Sequence, residues 1–278
     1  MKKKKTLPPI KHNKSIENLL KNNLNRYITL MVNSYNYWLL AKINKFKNGE
    51  IKNINGVLKT EFNKLDKRWG ENLDKFAYKL VNKLNNSINQ YVDNKLLNFN
   101  KDYRLKTKSQ LVKNSLYASM NEQLSLIKSV PLELKNKYEV IFYNAVSNFD
   151  LEAITNQLKE LKIITNKRIK TIARDQVSKA IESYTEARIQ QLGFDYYVWA
   201  TSKDERVSTG RGGHKYLDGR IYKYDNPTAI IDSKGNIGHP ARRVNCRCVS
   251  LALILKENEG LKKIKDNKHG DYYVIINK

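Results

Sequence analysis

From Ser15 to about Glu160 the apolar residues recur three and four positions apart, with clusters of Asn, Gly and Lys between the segments. That spacing lays an apolar stripe along one side of a helix. One stripe passes through Ile16, Leu19, Leu20, Leu24, Tyr27, Ile28, Met31, Tyr35, Trp38, Leu39 and Ile43, and Asn48 and Gly49 after it supply a stop. Further helices are predicted over roughly 57–97, 106–129 and 132–160, the last opening at Pro131, because a proline in a first turn gives up an N–H that has no partner there anyway. The clearest helix spans about 166–192, with Ile169, Ile172, Ala173, Val177, Ala180, Ile181, Tyr184 and Ala187 on one side and Gly193 closing it. Its other side, with Arg168, Lys170, Arg174, Lys179 and Glu182, reads as a solvated face.

After Gly193 the period changes. Phe194, Tyr196, Val198 and Ala200 alternate with Asp195, Tyr197, Trp199 and Thr201, which is the period-two pattern of a strand. Short strands are also predicted at Arg220–Tyr224, Ala229–Asp232, Arg247–Leu253 and Tyr272–Ile276, with turns at Asp218-Gly219 and Ser233-Lys234-Gly235-Asn236. The fold class is therefore α+β: a long-helix N-terminal region followed by a helix and a small, mostly antiparallel sheet. Four stretches follow: a disordered basic leader at 1–14, a helical region at 15–160, an α+β domain at 161–255, and a short extension at 256–278 carrying one strand.

Charge changes the picture of what the helices could meet. Lys+Arg number 52 and Asp+Glu 27, a formal net charge of +25, which attracts polyanions such as DNA. The abundance of Lys, Asn, Ile and Tyr is equally what an AT-rich genome would encode. No apolar run is long enough to span a bilayer and no signal-peptide pattern follows Met1–Lys5, so a soluble protein without a membrane partner is expected. The two cysteines, Cys246 and Cys248, are too close in sequence to lock a fold by a disulfide, and synthesis in a reducing cytoplasm is expected.

The chemistry-bearing residues crowd between Asp204 and Cys248. Asp204 and Arg206 precede a glycine-rich loop, Thr209-Gly210-Arg211-Gly212-Gly213, and then come His214, Asp218, His239, Arg242, Arg243 and the run Asn245-Cys246-Arg247-Cys248. Three readings stay open. His214, His239, Cys246 and Cys248 could close around a structural zinc, since two imidazoles and two thiolates suit a tetrahedral site and residues two apart on a strand share a face. Alternatively the thiols are small buried hydrophobes and no cofactor is held, while Asp204, Arg206, His214, Asp218, Asn245 and Arg247 form a structural polar cluster bracing the loops. Thirdly, Asp204, His214 and Asp218 could serve a metal-dependent nuclease or nucleic-acid processing enzyme. Against that enzyme stand thiols with no activating helix end and a glycine loop that matches no phosphate-binding motif, so no catalytic residue is assigned.

Taken in order, Ile172-Ala173-Arg174, Trp199, Asp204-x-Arg206, His214, Leu217-Asp218-Gly219, Pro240 and Asn245-Cys246-Arg247-Cys248 resemble the head-morphogenesis domain of the Mu F-like minor head proteins of tailed phages, over roughly 167–251. The resemblance implies a non-enzymatic virion component, made in the host cytoplasm, incorporated into the prohead or capsid and associated with the portal protein. Inside a capsid, lysines on long helices would contact double-stranded DNA phosphates without reading sequence.

Overall fold

The structure, a computed structural model, describes residues 4–99, 107–148, 151–210 and 212–278. Expectations that fall on 1–3, 100–106, 149–150 and 211 lie outside these residues. Four helices lead, α1 (Lys14–Lys47), α2 (Ile54–Phe99), α3 (Gln110–Asn148) and α4 (Leu151–Gln191). Five strands follow, β1 (Tyr196–Ala200), β2 (Ile221–Lys223), β3 (Val249–Ala252), β4 (Glu259–Ile264) and β5 (Tyr272–Asn277), in an antiparallel sheet of order β3-β1-β2-β5-β4. The α+β class predicted from the pattern is the class observed. Among the described residues no helix is long and apolar enough to cross a membrane.

Helix ends follow from local chemistry. Asn53 Oδ1 accepts the Gly56 N–H at 3.0 Å, capping the start of α2. Gly49 and Gly193 adopt φ of 77° and 88°. Each lets the chain donate back to carbonyls of the last turn of α1 or α4, as Glu50 N–H does to Lys45 and Phe194 N–H to Ile189.

The chain divides into two compact units, one of residues 15–84 and 120–173, the other of 1–14, 85–119 and 174–278. In the first, most of the α1 stripe is buried, with Leu20, Leu24 and Leu39 inaccessible, whereas Leu19 is half-buried and Trp38 is exposed at the margin of the stripe. An aromatic cluster fills the centre: Tyr35 meets Tyr138 edge-on with centroids 5.6 Å apart, and Phe62 meets Phe142 at 6.2 Å. The Tyr35 hydroxyl donates to Asp66 at 2.8 Å, and Lys135 pairs with the same carboxylate at 2.6 Å.

Pro131 does not open a helix; it lies inside α3. Ile127, Val130, Leu134 and Tyr138 form one buried stripe running through it, and continuity of that stripe outweighs the lost hydrogen bond. The next boundary is displaced as well. α4 begins at Leu151, so the predicted break between 160 and 166, and the domain edge at 161, fall within one continuous helix.

In the second unit the sheet has two faces. Tyr197, Trp199 and Tyr222 are inaccessible on one. Val198, Ile221 and Leu253 form a smaller cluster on the other, joined by Tyr196, Leu251 and Tyr273. The strand predicted at 229–232 is reduced to a single bridge, Ile230 to Ile237. The extension at 256–278 supplies two strands, β4 and β5, where one was expected. The basic leader is not disordered over its described part: the Leu7 N–H donates to Ala252 O, Lys5 O accepts the Ile254 N–H, Thr6 bridges Leu253, and Ile10 is buried. An apolar side chain at each end of this segment and a free edge on β3 are the reasons it pairs.

Pro131→Ala restores a backbone donor within α3 while leaving its stripe intact. Urea unfolding is expected to give a gain of about 1–3 kcal/mol; an unchanged or lower stability would show that the proline ring's packing matters more than the missing N–H.

Candidate functional site

Residues 172–189 of α4 are the support of the site. Most of their side chains are buried on every side, Glu182, Glu186 and Arg188 included. Arg188 donates through Nε and an Nη to the two oxygens of Asp93 at 3.0 Å, and Tyr184 donates to Asp93 at 3.0 Å. On the sheet side, Glu182 Oε1 accepts the Ser250 N–H at 2.7 Å. Glu186 Oε2 accepts from Arg242 at 2.7 Å, and Arg242 also reaches Ser183 Oγ at 2.6 Å. The face read as solvated thus holds a buried carboxyl in Glu182, because the sheet packs over it.

Burial raises Glu182 from its ordinary 4.5 to about 8, with the neighbouring Glu186 charge adding to the effect. Burial likewise raises Glu186 to about 7, opposed by the Arg242 guanidinium. His239 sits beside this pair. Its Nδ1 is 3.1 Å from the Tyr197 hydroxyl and 3.8 Å from Glu186 Oε1, and burial lowers its pKa to about 4, so it is a neutral partner. This network of Glu182, Glu186, Arg242, His239 and Tyr197 escaped the sequence reading; the four-residue spacing of the two glutamates on a helix also carrying the apolar stripe was the available signal.

At the far end of β1 lies the sulfur cluster. His214 opens a short 3-10 turn, and its backbone N–H donates to Ser208 Oγ at 3.1 Å. Gly212, with φ of 65°, passes so close to Asp232 that a Cβ would lie 2.2 Å from its carbonyl oxygen, so the turn toward His214 requires glycine. The imidazole is buried, edge-on to Trp199 with centroids 5.3 Å apart. His214 Nε2 lies 3.1 Å from Ile231 O, and Nδ1 lies 3.4 Å from both Cys246 Sγ and Cys248 Sγ. These three ligand atoms all fall within 4.8 Å of one another. His239 is not in that group, and the four-ligand set read from the sequence is corrected to His214, Cys246 and Cys248. The Cys248 thiol hydrogen bonds to Cys246, pulling its pKa down to about 4, while the same contact raises Cys248.

Around the cluster, Arg247 forks onto both oxygens of Asp204, one at 2.7 Å, and Arg206 reaches Asp204 at 3.3 Å. The Arg247 hydrogen bond holds the Asp204 carboxyl below the usual carboxylate range. Asn245 adopts φ of 63°, donates its N–H to Asp175 Oδ1 at 3.1 Å and accepts from Arg174. Asp218 is bound differently, accepting the Thr201 N–H and hydroxyl at 2.8 and 3.0 Å. Asp204, His214 and Asp218 are each committed to separate partners and do not assemble as one ligand group among the described residues.

The site is thus an antiparallel sheet backed by one buried helix, with a His/Cys/Cys cluster where the 208–217 turn meets the lead-in to β3. Residues 147–251, which include α4, β1, β2, both cysteines and His214, match the family described as Phage Mu protein F like protein, so this stretch is Mu F-like. An uncharacterized protein of Haemophilus influenzae is 37% identical over 141 residues, 50% of this chain and 29% of that protein. The chain thus spans less than a third of that relative's length. No solved structure matches.

A carboxyl whose pKa is raised on folding binds a proton in the folded state that the unfolded chain has released, so its contribution is full below pH 4.5 and is lost as pH rises to about 8. Glu182→Gln keeps an acceptor for Ser250 without the ionisation. Wild type is expected to lose on the order of a few kcal/mol relative to this variant between pH 4.5 and 8. Parallel stability profiles, measured by urea unfolding across that range, would refute the buried-acid assignment.

Proposed function

We propose that the chain is a minor head protein of a tailed phage, a non-enzymatic component of the virion that acts in head morphogenesis in association with the portal. The observation that carries this reading is the Mu F-like match over residues 147–251, which coincides with α4, the central strands and the polar cluster. The arrangement is in keeping with it: the conspicuous polar residues pair with one another, as Asp204 does with Arg247 and Arg206, and Asn245 with Arg174 and Asp175. They brace loops. The net charge of +25 supports a contact with packaged double-stranded DNA through phosphates, without sequence preference.

The enzyme alternative, a nuclease using Asp204, His214 and Asp218, is disfavoured by the separate hydrogen-bond commitments of those residues. Host cytoplasm during assembly and the capsid interior or portal afterwards are the corresponding locations.

Co-expression with the portal protein of the same phage is expected to yield a complex that survives affinity purification and gel filtration, and the chain is expected to co-sediment with proheads. Loss of both associations would remove the reading. Plasmid cleavage in magnesium or manganese that disappears in Asp204→Ala would replace it with the enzyme.

A further inference from the structure

We propose that His214 Nδ1, Cys246 Sγ and Cys248 Sγ bind one zinc ion, with a fourth coordination position opening on the cleft beside them. The distances fit. Zinc–sulfur bonds of about 2.3 Å and zinc–nitrogen bonds of about 2.0–2.1 Å in a tetrahedron place nitrogen and sulfur about 3.5 Å apart. Nδ1 stands 3.4 Å from each sulfur.

The imidazole is also held in the form a metal needs. With Nε2 3.1 Å from Ile231 O, the proton belongs on Nε2, where it is donated to that carbonyl, and Nδ1 presents its lone pair to the sulfurs. A histidine ligand characteristically gives its second N–H to such a carbonyl. One in-plane lone pair can accept from one thiol, yet two sulfurs lie equally near it; a cation between the three atoms satisfies all of them at once. The donor set is soft, which selects zinc over magnesium or calcium. Two thiolates and a neutral imidazole cancel the charge of a divalent ion, so burial of the filled site carries no net charge penalty.

Among the described residues no fourth His, Cys, Asp or Glu joins the three. The adjoining cleft, about 210 Å³, is lined by the three ligands together with Arg206, Arg243 and Arg247. The fourth ligand is therefore water or an anionic group admitted past these arginines. Bound this way, the ion ties the 208–217 turn to the lead-in of β3. The assignment is independent of the head-protein reading, because it rests on ligand geometry alone.

The test uses the full chain, expressed with zinc and purified without chelator. Elemental analysis is expected to give one zinc per chain. Replacement by cobalt is expected to give thiolate charge-transfer absorption and the intense visible bands of a tetrahedral ion. Cys246→Ser/Cys248→Ser and His214→Ala are expected to lose the metal, whereas His239→Ala, the other histidine read as a ligand, is expected to keep one equivalent. Should the ligand variants fail to fold, titration of the wild-type apo chain with zinc alone decides: protection of both thiols from a colorimetric thiol reagent at one equivalent supports the site. Wild-type protein that holds less than a tenth of an equivalent after zinc loading, or His239→Ala that loses the ion, overturns it.

Discussion

A helix covered on all its faces has to satisfy its polar side chains from within the protein, and residues 172–189 of α4 are in that position. The geometry of the second unit follows from how this is done. Asp93 takes both Arg188 and Tyr184 on one side. On the other, Glu182 receives the backbone N–H of Ser250, a donor that the β1–β3 ladder leaves unused, so that β3, already in register with β1, is also tied to the helix behind it. Burying a carboxyl costs free energy unless it is protonated or paired. Here one acid accepts from the sheet backbone and the other is bound by Arg242.

From that anchoring the sulfur cluster inherits its precision. Cys246 and Cys248 lead into the strand that Ser250 fixes, and Asn245 just before them is tied to Asp175 and Arg174 of the same helix. His214 is brought to them by a turn that only glycine at 212 permits. Three elements distant in sequence thus converge on a point whose position each of them constrains separately, the condition under which a small ligand group can be held ready.

Much of this was readable beforehand where one periodicity governs. Most of the α1 stripe is buried, with Trp38 left out at its margin, and the alternation around Tyr197 and Trp199 marks a strand whose two faces are both covered, while the crowding of Asp204, Arg206, His214, Asn245, Arg247 and the cysteines was visible in the chain itself. What was not readable depended on tertiary partners. Pro131 looks like a boundary until the stripe on either side of it is known to share one core. β4, Glu-Gly-Leu-Lys-Lys-Ile, has no alternation because it is an edge strand with charged side chains, and only β5 gives it a register. His239 was grouped with the sulfurs by proximity in sequence, but its ring turns to Tyr197 at the other end of the helix–sheet interface, a choice no spacing rule contains.

The pairing of Thr6 with Leu253 has a temporal side. During synthesis the first segment emerges long before the strand it is to cover, and neither can be finished until nearly all of the intervening helices have left the ribosome. The unit carrying the sulfur cluster is consequently a late-closing structure, while the helices between have local contacts enough to organise earlier. Until the two meet, the outer edge of β3 stands unpaired, so the contact between the segment around Thr6 and Leu253 is what gives that edge a protected surface.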